Sequence, residues 1–294
     1  MKKVLITGIT GYIGGSVAKL LLAKEYEIYG LVRKEEDVAK VEQFGVKAIV
    51  GNINDYKLLC DICRGVDIVV HTAESADDAY AADNFLKILE GTGKTFIFTS
   101  GSAILGGKEN GAAPNFQFTE DIPLSPRLEM SLRVNINQAI LQAAQKNIRS
   151  IVIVPTMVYG EGTGLKKESI QIPALVKFSI EKGKGIYIEQ GENIWSNLHI
   201  EDLAELYVLA LEKAKASALY YAENGASSLK EIANTISEKY KLGRAESISI
   251  YEAVQYFGEA GAYFGFASNS YCNSDKAKAE LGWQPKFNNI HEYI

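Results

Sequence analysis

Short apolar runs alternate with longer amphipathic segments through the first half of the chain. Near-continuous runs such as residues 68–70 and 151–154 are typical of strands that are buried on both faces of a sheet. The pattern predicts strands at residues 3–7, 27–32, 47–51, 68–71, 95–99 and 150–154. It predicts helices between them at residues 14–24, 56–63 and 131–145. This regular alternation indicates an α/β protein with a doubly wound parallel sheet.

The pattern becomes looser after about residue 160, where glycines repeatedly interrupt the chain. A helix is predicted at residues 201–214, and a strand follows at residues 219–222. Ser228 and Glu231 have the spacing of a capping box, which predicts that another helix begins there. Residues 245–294 are rich in aromatic residues and show no regular period.

Composition narrows the functional classes. The chain has 294 residues, of which 47% are hydrophobic, so it can bury a sizeable core in one large domain or two small ones. A formal charge of −5 argues against a nucleic-acid-binding protein, which needs a basic face. No apolar run approaches the roughly 20 residues of a membrane span, and 3 cysteines do not make a disulfide scaffold. We therefore expect a soluble, cytoplasmic protein, and the scattered histidines and cysteines give no metal-binding spacing.

A glycine-rich segment joins the first predicted strand to the first helix. Residues 7–14 read TGITGYIG, with glycines at Gly8, Gly11 and Gly14. Glycine at these points permits a tight turn, a close approach of a pyrophosphate to the backbone and close packing of the helix on the strand. The helix N-terminus then offers free N–H groups and the positive end of its dipole to the phosphates. The motif therefore predicts a Rossmann-type dinucleotide-binding domain.

The change of pattern after residue 160 suggests how the chain is divided. We assign residues 1–164 and about 198–240 to the dinucleotide-binding domain. Residues from about 165 to 197 and from 241 to 294 are predicted to form a small C-terminal substrate lobe.

Seven segments, in order along nearly the whole chain, resemble motifs of the extended short-chain dehydrogenase/reductase family, which is NAD-dependent epimerase/dehydratase-like. They are TGITGYIG (7–14), VGNIND (50–55), VDIVVHTA (66–73), FTSGSAILG (98–106), VPTMVYG (154–160), NIWSNLHIEDL (193–203) and LGWQP (281–285). The resemblance implies a Rossmann fold and an oxidoreductase that acts on a small molecule. It also implies a homodimer formed through the helix that carries residues 129–145.

The resemblance further implies which residues surround the dinucleotide. They lie in the glycine segment, at the ends of the predicted strands and on the helix at residues 131–145. The implied cofactor-binding residues are Gly8, Thr10, Gly11, Tyr12, Ile13, Gly14, Arg33, Lys34, Asn52, Ile53, Thr72, Ala73, Ser100, Arg133, Pro155 and Val158.

The end of the second predicted strand bears on the choice of dinucleotide. NAD-dependent proteins place an acidic residue there to bind the ribose hydroxyls. Spacing from the glycines puts Val32 at this position, followed by Arg33 and Lys34. Val32 has no carboxylate that would repel a 2′-phosphate. Arg33 can hold such a phosphate in a charge-assisted pair. This favours NADP over NAD, although residues 33–37 can equally form a solvated charged turn.

The catalytic positions depart from the family pattern. The family uses a serine or threonine, a tyrosine and a lysine four residues after the tyrosine. Here the tyrosine position is Glu129 and the lysine position is Arg133, and no tyrosine occurs between residues 81 and 158. The serine position is Gly101, flanked by Ser100 and Ser102. ExxxR therefore replaces YxxxK, which resembles an atypical subgroup of the family.

Three interpretations of this replacement stay open. In the first, the protein is a reductase in which Arg133 and Ser100 or Ser102 polarise a carbonyl. Glu129 then acts as an acid if burial raises its pKa above about 4.3, or as a base if it pairs with Arg133. In the second, the protein binds NADP without catalysis and is a sensor similar to NmrA-like regulators. In the third, Glu129 and Arg133 are an ordinary exposed helix pair.

The aromatic C-terminal region bears on the substrate. Its aromatic residues either line an apolar pocket or form the core of the small lobe. They are Tyr251, Tyr256, Phe257, Tyr263, Phe264, Phe266 and Tyr271, and Asn193 and Trp195 are further candidates for the pocket wall. A pocket without a cluster of cations favours a small apolar carbonyl compound over a sugar nucleotide, whose pyrophosphate needs cationic partners.

Overall fold

The computed structural model describes residues 1–74 and 76–294 of the chain. Its strands are β1 (Lys3–Thr7), β2 (Glu27–Val32), β3 (Lys47–Val50), β4 (Ile68–His71), β5 (Thr95–Thr99), β6 (Arg149–Pro155), β7 (Met157–Tyr159), β8 (Lys184–Ile188), β9 (Ile194–His199), β10 (Ala218–Ala222), β11 (Ala226–Ser228) and β12 (Gly243–Ile248). Its helices are α1 (Tyr12–Ala23), α2 (Val38–Gln43), α3 (Tyr56–Gly65), α4 (Ala79–Leu89), α5 (Ser131–Gln142), α6 (Gln171–Lys182), α7 (Ile200–Lys213), α8 (Leu229–Lys239), α9 (Ile250–Glu259) and α10 (Asp275–Leu281).

Seven strands form one parallel sheet in the order β10-β6-β5-β4-β1-β2-β3. Val4 of β1 pairs with Ile28 on one side and with Ile68 on the other, so β1 lies between β2 and β4. The strand order therefore reverses beside β1, and in such sheets a crevice opens at the carboxyl ends of the strands there. The predicted α/β fold class with a doubly wound parallel sheet is confirmed.

Apolar helix faces cover both sides of this sheet. On one side, α1 and α7 pack against each other and against Ile6 and Ile153. On the other side, α3, α4 and α5 pack over Leu5 and Phe98. Every residue of β4 and β5 is buried, which explains why these strands appear in the sequence as continuous apolar runs.

A third core lies in the smaller lobe. It joins β7, β8, β9 and β12 to α6, α8 and α9, and Trp195 and Phe266 lie within it. The predicted boundary near residue 240 differs from this packing, because Leu229, Ile232 and Ile236 of α8 belong to the small-lobe core. Trp283, which was predicted to lie in the lobe, instead packs with α1 and α7.

The C-terminal region is more regular than the sequence pattern predicts. It contains β12, α9 and α10, and a π-helical turn at Ala260–Phe266 follows α9. Ser228 caps α8 in a complete capping box with Glu231, as predicted. Within the described part of the chain, none of the helices has both the length and the apolar character needed to cross a bilayer.

Candidate active site and cofactor cavity

A cavity of about 1100 Å³ lies at the carboxyl ends of β1 and β4 and extends to the small lobe. All of the residues implied to surround a dinucleotide line it except Asn52. The Asn52 side chain instead accepts a hydrogen bond from the Asn54 N–H (2.9 Å) at the exposed surface. The cavity has a dinucleotide end, beside the glycine turn and β2, and a reaction end, beside Ser100 and the small lobe.

The glycine turn shapes the dinucleotide end. Gly8 has φ +72°, a conformation that side chains disfavour, and its carbonyl oxygen accepts the Gly11 N–H (2.8 Å). A Cβ on Gly14 would collide with that same carbonyl oxygen, so the absence of a side chain lets α1 approach β1 closely. The Thr72 hydroxyl donates to the Thr7 carbonyl (2.6 Å), which ties the ends of β4 and β1 together beside the turn.

The first turn of α1 is suited to an anion. Gly11 is the N-cap residue and provides no side-chain cap, and the first turn contains no acidic residue. The first N–H groups of the helix therefore meet the cavity with the positive end of the helix dipole. This turn fits the pyrophosphate of a dinucleotide.

Charged side chains surround the part of the dinucleotide end that lies beside β2. Arg33 and Lys34, at the end of β2, line the cavity together with Glu36 and Asp37. Lys34 Nζ lies 3.0 Å from the Glu36 carboxylate, so its charge is partly satisfied within the protein. Arg33 is exposed and lies beside the cavity as the sequence analysis expects.

A bidentate ion pair fixes Arg133 at the reaction end. Arg133 Nε and Nη2 donate to the two carboxylate oxygens of Asp77 at 2.9 Å and 2.6 Å. The Arg133 side chain is only 16% exposed, whereas that of Asp77 is 68% exposed, so Asp77 holds the guanidinium from the solvent side. The remaining nitrogen, Nη1, lies toward Gly101. The pair therefore orients one edge of the guanidinium toward the cavity.

Gly101 provides the space for this guanidinium. A Cβ at Gly101 would lie 3.1 Å from Arg133 Nη1, which is tighter than an ordinary van der Waals contact. A side chain at residue 101 would therefore require the guanidinium to move by a few tenths of an ångström.

Two serines flank Gly101 in different environments. The Ser270 hydroxyl of the small lobe donates to Ser102 Oγ (2.7 Å), so the Ser102 proton is free to bind another acceptor. Ser100 Oγ is buried and has no hydrogen-bond partner in the described residues. Ser100, Ser102 and Ser270 all line the cavity, so a ligand oxygen can meet hydroxyl donors at this end.

Glu129 lies elsewhere, which corrects the role given to Glu129 in the first interpretation and the ion pair assumed in the third. Its carboxylate pairs with Lys108 Nζ (2.7 Å) and not with Arg133, and it does not line the cavity. The hydrogen bond from Lys108 lowers the pKa of Glu129, so Glu129 is not a carboxylic acid with a raised pKa. The physical reason is that Glu129 belongs to a 3-10 turn at Leu128–Met130, before α5 begins. It therefore lacks the i, i+4 geometry with Arg133 that a continuous α-helix would create.

Aromatic side chains close the reaction end. Trp195, Phe257, Phe264 and Phe266 line the cavity, and the rings of Trp195 and Phe266 are nearly parallel with centroids 5.5 Å apart. The guanidinium carbon of Arg127 lies 4.2 Å from the Phe264 ring centroid, which fixes that ring from behind. Asn193, a predicted wall residue, is instead fully buried and donates to the Phe266 and Ser268 carbonyls.

Sequence reasoning missed several cavity residues. Asp77 orients Arg133 from the loop after β4, and Ser270 contacts Ser102 across 168 positions of sequence. Lys166 also lines the cavity, from the loop after β7. None of these belongs to a recognised motif, and only the glycines around Lys166 signalled an unusual segment.

The fold and the cavity define a protein with a Rossmann-type domain of the NAD(P)-binding kind. The family model of the NAD dependent epimerase/dehydratase family matches residues 4–221. The chain therefore belongs to that family, which confirms the resemblance found in its sequence.

Individual relatives and solved structures show what the chain is similar to. An uncharacterised protein of Schizosaccharomyces pombe is 30% identical over 96% of this chain and 95% of its own length. A 4-hydroxy-2-methyl-3-oxo-4-farnesyl-3,4-dihydroquinoline-1-oxide ketoreductase of Stigmatella aurantiaca is 23% identical over 76% of this chain and 69% of its own. Among solved structures, a dTDP-glucose 4,6-dehydratase from Bacillus anthracis in complex with NAD has a TM-score of 0.79. It is 18% identical, and the match covers 100% of this chain and 94% of that chain, so this likeness concerns the fold alone.

Proposed function

We propose that the protein is an NADP-dependent reductase of a small, apolar carbonyl compound, in which Arg133 and the neighbouring serines replace the family's catalytic tyrosine. The observation that carries this proposal is the orientation of Arg133. Asp77 binds Nε and Nη2, while Nη1 lies toward Gly101 at the reaction end of the cavity.

The cofactor fits the dinucleotide end. The glycine turn and the uncapped first turn of α1 would hold the pyrophosphate, and Arg33 would meet a 2′-phosphate. When bound, the nicotinamide supplies hydride to the carbonyl carbon.

The protein's own groups would then stabilise the charge that develops on the substrate oxygen. Arg133 Nη1 contributes N–H donors and a positive charge, and Ser102 contributes a hydroxyl proton because its oxygen already accepts from Ser270. Oriented donors of this kind typically contribute about 10²–10³-fold in rate. Neither group has to release a proton, because water can protonate the alkoxide.

The walls of the reaction end favour an apolar substrate. The rings of Trp195, Phe257, Phe264 and Phe266 line this end of the cavity. Among the described residues, Arg133 is the cation assigned to this end, and Asp77 already neutralises much of its charge. A sugar nucleotide would require further cationic partners for its second pyrophosphate.

The test is NADPH oxidation with a panel of aliphatic and aromatic ketones and aldehydes. On any substrate found, Arg133→Ala should lower kcat/KM by about 10²–10³-fold. Glu129→Gln is the matched control, because it removes a charged residue four positions away that lies outside the cavity. We expect its kcat/KM to stay within about twofold of the wild type. Full turnover by Arg133→Ala would disprove this mechanism.

One observation favours a dinucleotide sensor as the second candidate. Within the described part of the chain, Tyr12 is the only tyrosine that lines the cavity, and its hydroxyl donates to the Gly160 carbonyl (2.8 Å). The described residues therefore place no phenol at the reaction end. Calorimetric binding of NADPH together with no turnover across the panel would support the sensor and reject the reductase.

A further inference from the structure

The loop after β7 is anchored on the helix that forms the anion-binding end of the cavity. The Tyr12 hydroxyl donates to the Gly160 carbonyl (2.8 Å), and the Thr163 N–H donates to Ser16 Oγ (3.2 Å). Gly164 packs so closely on Gly15 that a Cβ at Gly164 would collide with the Gly15 backbone. These contacts hold residues 160–164 against the first turns of α1.

This loop carries two neighbouring lysines in different environments. Lys167 Nζ donates to the Gly162 carbonyl (3.0 Å) and lies 3.7 Å from the Glu161 carboxylate. Lys166 lines the cavity, is exposed, and pairs with no carboxylate in the part of the chain that the structure describes. Lys167 therefore has partners within the loop, whereas the charge of Lys166 remains available to a ligand.

The first turn of α1 offers N–H groups to a pyrophosphate but contains no cationic side chain. The other cations that line the cavity are Arg33 and Lys34, at the end of β2, and Arg133, which Asp77 holds. The lysine ammonium is a compact charge on a flexible stem, which suits it to phosphate oxygens.

We propose that Lys166 binds the pyrophosphate of the dinucleotide and thereby makes cofactor affinity depend on the loop that leads into the small lobe. This inference rests on the cofactor binding assumed in the proposed function, but it does not depend on turnover or on the preference for NADP. Because NAD and NADP share the pyrophosphate, Lys166 contributes equally to the binding of both.

The experiment measures dissociation constants of NADPH and NADH by fluorescence titration for wild type, Lys166→Ala, Lys166→Arg and Lys167→Ala. Lys166→Ala should weaken both dinucleotides by the same factor, about tenfold, since one charge-assisted contact is lost at an exposed site. Lys166→Arg should restore most of the affinity. Lys167→Ala removes the same charge at the neighbouring position and should change the affinity less than twofold. The loss in Lys166→Ala should shrink as salt is raised.

Four results would overturn the inference. They are unchanged binding by Lys166→Ala, an equal loss in Lys167→Ala, a loss confined to NADPH, and a wild type that binds neither dinucleotide. A loss confined to NADPH would assign Lys166 to the 2′-phosphate. Binding that follows the expected pattern in a protein without turnover would support the role of Lys166 and reject only the reductase.

Discussion

The two ends of the cavity differ in what builds them. The dinucleotide end depends on backbone: the turn at Gly8, the exposed N–H groups of α1 and the close packing that Gly14 allows. The reaction end depends on side chains that come from distant parts of the chain, with Asp77 and Arg133 meeting across 56 positions and Ser102 and Ser270 across 168.

This difference gives a physical reason why one end would keep the family pattern while the other departs from it, as the sequence predicts. A backbone cradle tolerates almost no side chain, so its glycines are required for the fold as well as for binding. A cluster of side chains can change when its members change together, and Gly101 lies close enough to Arg133 for such a dependence to be tested. The predictions below test this contrast, beginning with the largest expected effect.

Gly14→Ala should abolish measurable dinucleotide binding and lower the thermal unfolding midpoint. The added Cβ would collide with the Gly8 carbonyl and push α1 away from β1. The measurements are calorimetric titration with NADPH and thermal denaturation. Gly65→Ala, at the end of α3, is the control, because a Cβ there meets nothing within 4 Å. Normal binding by Gly14→Ala would contradict the backbone cradle.

Acid should destabilise the sheet beneath the dinucleotide end through His71. Burial lowers the pKa of His71 to about 4, and its Nδ1 lies 2.7 Å from Thr7 Oγ1. The unfolded chain, with a histidine pKa of about 6.5, binds the proton more readily than the folded protein does. The free energy of unfolding therefore falls by about 3 kcal/mol as the pH drops from 6.5 to 4.

The measurement is urea unfolding at several pH values within this window. His71→Phe retains an aromatic ring beside Phe85, Phe96 and Phe98 but removes the titration. We expect the free energy of unfolding of this variant to be lower than that of the wild type at neutral pH, because Thr7 loses a hydrogen-bond partner. It should also depend less on pH. An identical pH slope in wild type and variant would assign the effect to other groups.

Gly101→Ser introduces at the reaction end the serine that the family resemblance predicts there. It should lower kcat by about 30-fold, because part of one donor's contribution is lost. Its Cβ would press on Arg133 Nη1 and displace the guanidinium from its orientation. Dinucleotide affinity should stay within about threefold, since the cradle is untouched.

The coupling is measured by a double-mutant cycle with Arg133→Lys. We expect the double variant to lose less than the sum of the single losses, because lysine leaves room for the serine. Strictly additive losses would show that the two positions act independently.

Arg33→Ala should reduce the preference for NADPH over NADH by about tenfold, the smallest of these effects because the site is exposed. The ratio of dissociation constants for the two cofactors measures it. Lys40→Ala, on the exposed face of α2, serves as the comparison and should leave the ratio unchanged. If Arg33→Ala had the same ratio of dissociation constants as the wild type, the proposed preference for NADP would lose its support.

Much of the fold was predictable because it depends on local pattern. The predicted bounds of β1, β2, β4 and β5 agree with the structure at both ends, since apolar runs buried on both faces leave a strong signal. The C-terminal region was not predictable in this way. Its closely spaced aromatic residues obscure the helical spacing of apolar positions in α9. The π-helical turn that follows has no simple sequence pattern.

The same contrast holds within the site. The sequence by itself determined the sheet, the glycine turn and the residues that follow each strand, because these depend on backbone conformation and on contacts between neighbouring elements. Only the tertiary structure decided where the side chains of Glu129 and Arg133 lie and which partners they bind. Glu129 lies in the 3-10 turn before α5 and pairs with Lys108, and a loop 56 positions away supplies the carboxylate that orients Arg133. Long-range ion pairs depend on how distant segments are packed, and no local pattern records them.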